Sequence, residues 1–116
     1  MKKIAIILLS FFCLAISAQE KTKETKTSTF KVSGNCNQCK ARIENAADIK
    51  GVKLATWDVK TKLLTVTYRT DKITEDEIKK AIAKSGHDAG GEKAPVHAYN
   101  KLPKCCKYRD GKCEKE

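Results

Sequence analysis

An α+β sandwich is the fold this chain predicts: a four-stranded antiparallel sheet covered on one face by two helices, in the order βαββαβ. Three observations carry it. Apolar and polar residues alternate around Phe30 and Val32 and again from Leu64 to Tyr68, the period of strands with one buried face. Residues 38–48 and 74–85 instead repeat apolar positions every three or four residues, the period of a helix. With 116 residues, 41% hydrophobic but only 6% aromatic, the chain has material for one modest aliphatic core. From these residues neither a multi-domain enzyme nor a deep substrate cavity is expected.

Residues 1–18 (MKKIAIILLSFFCLAISA) open with two lysines, run apolar for too short a distance to span a bilayer comfortably, and end in small residues. They read as a cleaved secretory signal peptide, so a periplasmic location is expected. Cys13 lies within it. Residues 19–28 hold no apolar side chain and read as a flexible charged leader. The folded domain is expected over residues 29–93. Its first strand carries Phe30 and Val32 inward and is broken by Gly34.

A helix over residues 38–48 follows, with Ile43, Ala46 and Ala47 on its inner face, and it stops at Lys50-Gly51. In residues 52–59, Ala55, Trp57 and Val59 share one face while Val52 and Leu54 are out of phase, which predicts a bulge near the start of a second strand. Thr61-Lys62 is read as the hairpin turn into a third strand bearing Leu64, Val66 and Tyr68. Thr74-Glu75-Asp76-Glu77 is a capping box, and Ile78, Ala81, Ile82 and Ser85 line one side of the helix it opens, which Gly86 ends. Residues 87–93 supply a short, weak fourth strand. This order is that of the ferredoxin-like sandwich. Residues 94–116 form a Cys-rich tail, expected to lie over the domain.

The chain carries a formal charge of +10. Taking off residues 1–18 removes two lysines and no acid, leaving 98 residues at +8. Export makes nucleic acid an improbable partner for that charge, and a lysine-rich soluble surface accounts for most of it. Five of the six cysteines remain: Cys36, Cys39, Cys105, Cys106 and Cys113. An odd number cannot be a complete set of internal disulfides, so at least one sulfur is free, metal-bound or paired with another molecule.

Cys36-Asn37-Gln38-Cys39 stands where the first strand hands over to the first helix. There the unpaired N–H groups and positive end of the helix favour anionic sulfur. Two thiolates at this spacing can converge on one ion, and two soft sulfurs suit Cu(I) better than the four-ligand demand of a structural zinc. A surface disulfide is the alternative use of the pair. With this placement, the stretches FKVSGNCNQCKARIENAADIKGV, ATWDVKTKLLTVTYRT and ITEDEIKKAIAKSGHD resemble the heavy-metal-associated domain, the module of copper chaperones, metal-transporting ATPases and periplasmic mercury-binding proteins. They cover about two thirds of the chain left after residue 18.

The resemblance implies that Cys36 and Cys39 are the metal ligands and Cu(I) the cargo, with Hg(II) or Zn(II) as alternatives. It also implies a metal-transporting membrane protein or efflux component as partner, and a monomer or a metal-bridged dimer. The family motif is GMxCxxC, whereas this chain reads Gly34-Asn35-Cys36 and lacks both the methionine, which packs beneath the family's loop, and one residue of spacing. His87 falls in the loop that faces the metal in the family. It is either a third ligand or thiolate hydrogen-bond partner, or an ordinary loop histidine.

In the tail, three thiols fall within nine residues, Cys105, Cys106 and Cys113, and Asp110-Gly111 offers a turn between them. They form either a disulfide-closed loop or a second metal site, or one of them folds back onto Cys36 and Cys39. Adjacent Cys105 and Cys106 are poorly placed to bond each other. The reading that follows is a non-enzymatic, exported metal-binding protein that sequesters Cu(I) or passes it to a partner. A periplasmic thiol-disulfide oxidoreductase using Cys36 and Cys39 is the alternative, but the tryptophan before the first cysteine and the parallel βαβ order of thioredoxins are missing.

Overall fold

The computed structural model describes residues 24–110. The expected signal peptide, residues 19–23 of the expected leader, and Cys113 lie outside the described residues. Three antiparallel strands, β1 (Thr25–Lys31), β2 (Val52–Trp57) and β3 (Leu63–Arg69), form a sheet in the order β1-β3-β2. Helices α1 (Asn37–Ala47) and α2 (Glu75–Lys84) cover one face. The core between them holds Phe30, Val32, Trp57, Leu64, Val66 and Tyr68 from the sheet side, and Cys39, Ile43, Ala47, Ile78 and Ile82 from the helices.

β1 starts at Thr25, inside the segment read as flexible leader. It needs no apolar residue there because threonines pair across the strands: the Thr27 and Thr67 hydroxyls are 3.1 Å apart, and those of Thr29 and Thr65 3.3 Å. Hydrophobic periodicity is blind to such a polar strand end. In β2 the register shifts between Val52 and Leu54, turning Trp57 inward while Leu54 stays exposed. The hairpin is longer than the two-residue turn expected. The Asp58 carboxylate accepts from the N–H groups of Lys60 and Thr61, and Lys62 takes a left-handed φ of 64° before β3 begins. The capping box of α2 is present in both halves, Thr74 Oγ1 accepting from Glu77 N–H and the Glu77 carboxylate from Thr74 N–H.

Among the described residues there is no fourth strand. The segment expected to supply it makes only an isolated bridge, Val32 to Ala89, on the free edge of β1. Ala89 and Glu92 then bond each other around Gly90-Gly91, so the chain turns back before a strand can extend. Two glycines and a lone apolar residue leave nothing to bury along such a strand.

The tail instead packs on the domain as helix α3 (Val96–Asn100) and two 3-10 turns, Lys104–Cys106 and Tyr108–Asp110. Gly86, with φ of 108°, ends α2 and admits the tail: a Cβ there would lie 2.9 Å from both the Ala98 carbonyl and the Leu102 side chain. Tyr99, Leu102 and Cys106 join the core while Val96 stays exposed. Among the described residues no helix is long and apolar enough to cross a membrane.

Candidate metal centre

The loop from β1 to α1 is set by what lies under it. Trp57, fully buried, donates its indole N–H to the Val32 carbonyl at 3.0 Å. Its ring lies against Gly34, where a Cβ would be 3.0 Å from both the ring and Cys39 Cβ. Glu44 holds the tryptophan's strand by accepting from Trp57 N–H at 2.9 Å, and Lys40 bridges Glu44 at 2.7 Å to the Trp57 carbonyl at 2.9 Å. Trp57 thus supports a loop that has no methionine, and only a residue without a side chain fits between it and Cys39.

Cys36 occupies the cap position of α1 with extended backbone, and its carbonyl accepts from Lys40 N–H. Cys39 sits in the first turn, fully buried. Burial pushes the Cys36 thiol up, but the N–H dipoles of Cys39 and Gln38 and the Cys39 thiol favour its anion more strongly, and its pKa falls below the ordinary cysteine value.

The two sulfurs of the CxxC loop are 3.6 Å apart. Cys106 comes to meet them: the Sγ atoms of Cys36, Cys39 and Cys106 all lie within 4.8 Å of one another. Cys106 is fully buried, whereas its neighbour Cys105 turns outward and donates its thiol to Gln38 Oε1 at 2.8 Å. The Cys105 and Cys106 sulfurs are 3.9 Å apart, and all four of these cysteines are free thiols. Burial raises the Cys106 pKa well above the ordinary value, and the Cys39 sulfur adds to the effect. Burial also raises that of Cys105, with the Cys36 charge contributing.

His87 is not part of this convergence. It is fully buried, its Nδ1 bonded to the Ser33 carbonyl at 2.8 Å and its ring stacked on Tyr108 with centroids 5.6 Å apart. Desolvation lowers its pKa, keeping the imidazole neutral. His97 is exposed on α3. What fixes the tail is Tyr108, whose hydroxyl accepts from Asp88 N–H at 3.0 Å and donates to the Gly86 carbonyl at 2.8 Å. Arg109 adds an ion pair to Asp88 at 2.8 Å and a bond to the Ala94 carbonyl.

Sequence reading did not single out Trp57 for the site, nor Cys106 over Cys105. No local pattern marks the second, because Pro103 separates α3 from the turn that carries Cys106, and helical spacing does not run across that break.

A dithiol loop at the head of a helix, on a small α+β sandwich, defines a domain built for soft metal ions. The chain belongs to the heavy-metal-associated domain family, which matches residues 29–88. Among solved structures, the copper chaperone of Enterococcus hirae in its apo form is 36% identical with a TM-score of 0.50, over 53% of this chain and 94% of that one. The Cu(I)-loaded N-terminal domain of a potential copper-translocating P-type ATPase from Bacillus subtilis is 28% identical with a TM-score of 0.55, over 58% and 86%. Oxidized MerP from Ralstonia metallidurans CH34 is 26% identical, also with a TM-score of 0.55, over 58% and 96%. Among curated proteins, none matches.

Proposed function

We propose that this is an exported heavy-metal-binding protein that holds Cu(I) through the thiolates of Cys36 and Cys39, for sequestration or for transfer to a partner in the periplasm. The observation that carries the reading is the pair of free thiols 3.6 Å apart at the amino end of α1, one of them with a lowered pKa. The helix end stabilises the negative charge that two thiolates bring to a monovalent ion. Copper-binding and mercury-binding relatives support a soft cargo, and Hg(II) fits the same donors. Residues 1–18 support export.

Transfer proceeds by ligand exchange: an acceptor's thiolate adds to the ion before one of the donor's leaves, and copper stays in the +1 state throughout. The acceptor this reading calls for is the thiol-bearing domain of a metal-transporting membrane protein or efflux component. The role is one of binding, not catalysis.

The test is anaerobic Cu(I) titration of the reduced protein against a competing chelator, with native mass spectrometry, on wild type and Cys36→Ser/Cys39→Ser. One tightly held copper that disappears in the double variant supports the reading. Copper retained undiminished in the variant moves the site elsewhere. If neither protein competes with the chelator, metal binding gives way to the thiol-disulfide oxidoreductase alternative, assayed next on a disulfide substrate.

A further inference from the structure

We propose that Cys106, brought back over the loop by the tail, is a third thiolate ligand and that this chain holds its ion in a three-sulfur site. The inference deepens the Cu(I) reading above and rests on it. Its first ground is geometric. Metal–thiolate bonds of about 2.3 Å place sulfurs about 4.0 Å apart around a trigonal ion and about 4.6 Å apart across a linear one. Cys36 and Cys39 stand at 3.6 Å as free thiols, closer than either arrangement needs, and Cys106 completes a triangle with no edge beyond 4.8 Å, so all three sulfurs are within reach of one ion.

The second ground is how Cys106 is held. It is not a thiol on a loose end: its side chain is fully buried in the core with Tyr99 and Leu102. The segment on either side is tied down by Tyr108 on Gly86 and Asp88, and by Lys107, whose ammonium donates to the carbonyls of Tyr99 and Asn100. Two adjacent cysteines are available in that turn, and the backbone delivers one to the dithiol and sends the other outward to Gln38. Cys105, Cys106 and the tail segment that carries them lie beyond residues 29–88, the part matched by the family, while the groups that hold them, Gly86, Asp88 and Gln38, lie within it.

The chemistry balances without an outside oxidant or reductant. In the metal-free protein Cys106 is a free thiol. As the sulfur–metal bond forms, the proton passes to solvent, and the ion keeps its charge. The ions suited to three thiolates and little else are soft monovalent or divalent cations such as Cu(I) and Hg(II). There is a kinetic consequence. The coordination position an acceptor's thiolate would enter is already filled from within, so the Cys106–metal bond must break as the acceptor's forms. The tail therefore favours holding the ion over passing it on.

X-ray absorption at the copper edge of the reduced, Cu(I)-loaded protein counts the sulfurs directly, and the wild type should show three. Cys106→Ala should show two, bind Cu(I) at least about tenfold more weakly, the floor set by losing even an outer partner of a metal ligand, and release copper faster to a dithiol chelator. Cys105→Ser should match the wild type. Two sulfurs in the wild type, or three in Cys106→Ala, overturns the third ligand while leaving the CxxC site standing. Loss of the third sulfur in Cys105→Ser instead of Cys106→Ala overturns the assignment too. Undiminished copper in Cys36→Ser/Cys39→Ser is the separate result that removes the underlying reading.

Discussion

A buried imidazole whose Nδ1–H is committed to the Ser33 carbonyl leaves Nε2 without a hydrogen-bond partner. Protonating that nitrogen would place a charge in the core, so desolvation lowers the pKa of His87 from its ordinary 6.5, and the nearby Arg42 adds to the effect while the Ser33 carbonyl and Asp88 oppose it. The uncharged Tyr108 ring covers it. Because the folded pKa lies below the unfolded one, this contribution to stability is complete above pH 6.5 and is lost as pH falls toward and through the folded value. Urea unfolding of the reduced, metal-free protein should show stability falling between pH 7.5 and 5.5 by no more than about 1.4 kcal/mol per pH unit for the one proton involved. His87→Gln should flatten that slope and His97→Gln should keep it. At this scale the sequence offered His87 as a ligand or a surface residue. It could show neither burial nor orientation, because the ring that covers His87 arrives from twenty-one residues further along.

Elements were legible where one local signal sufficed. The alternation at Leu64, Val66 and Tyr68, the capping box at Thr74 and the bulge before Leu54 are each contained within a few residues, and each stands in the structure. What local patterns missed depends on partners distant in sequence: the threonine half of β1 exists because of Thr65 and Thr67 on β3, and the tail is held by Gly86 and Asp88. The hydroxyl of Tyr108 is the strongest lever on that tail. Tyr108→Phe leaves the Asp88 N–H and the Gly86 carbonyl unpaired, a loss of about 1–3 kcal/mol. That loss should open the tail before the sandwich, because the tail lies outside the sheet as one five-residue helix and two 3-10 turns. Alkylation of Cys106 under native conditions, read residue by residue by mass spectrometry, should then accelerate by about 5- to 150-fold in Tyr108→Phe. An equal acceleration at Cys39 would mean instead that tail and sandwich open as one unit.

On the scale of the whole molecule, the three thiols tie together segments about seventy residues apart, the first loop and the tail. An ion bound to all three therefore acts as a cross-link that exists only in the folded chain, and its free energy of binding is added to folding. At a free Cu(I) activity one hundred times the dissociation constant the gain is about 2.7 kcal/mol, and it should appear as a melting temperature that climbs with buffered Cu(I). Where that gain is felt separates the two site geometries. A two-sulfur ion held by Cys36 and Cys39 alone stabilises the loop and α1 but leaves the tail's own opening equilibrium unchanged. A three-sulfur ion must be released before the turn at Lys104–Cys106 can lift. Hydrogen exchange with and without Cu(I) should therefore show added protection at the amides of Leu102, Cys106 and Lys107 in the wild type. In Cys106→Ala, copper should protect α1 alone, and the tail should exchange at one rate whether the metal is present or not.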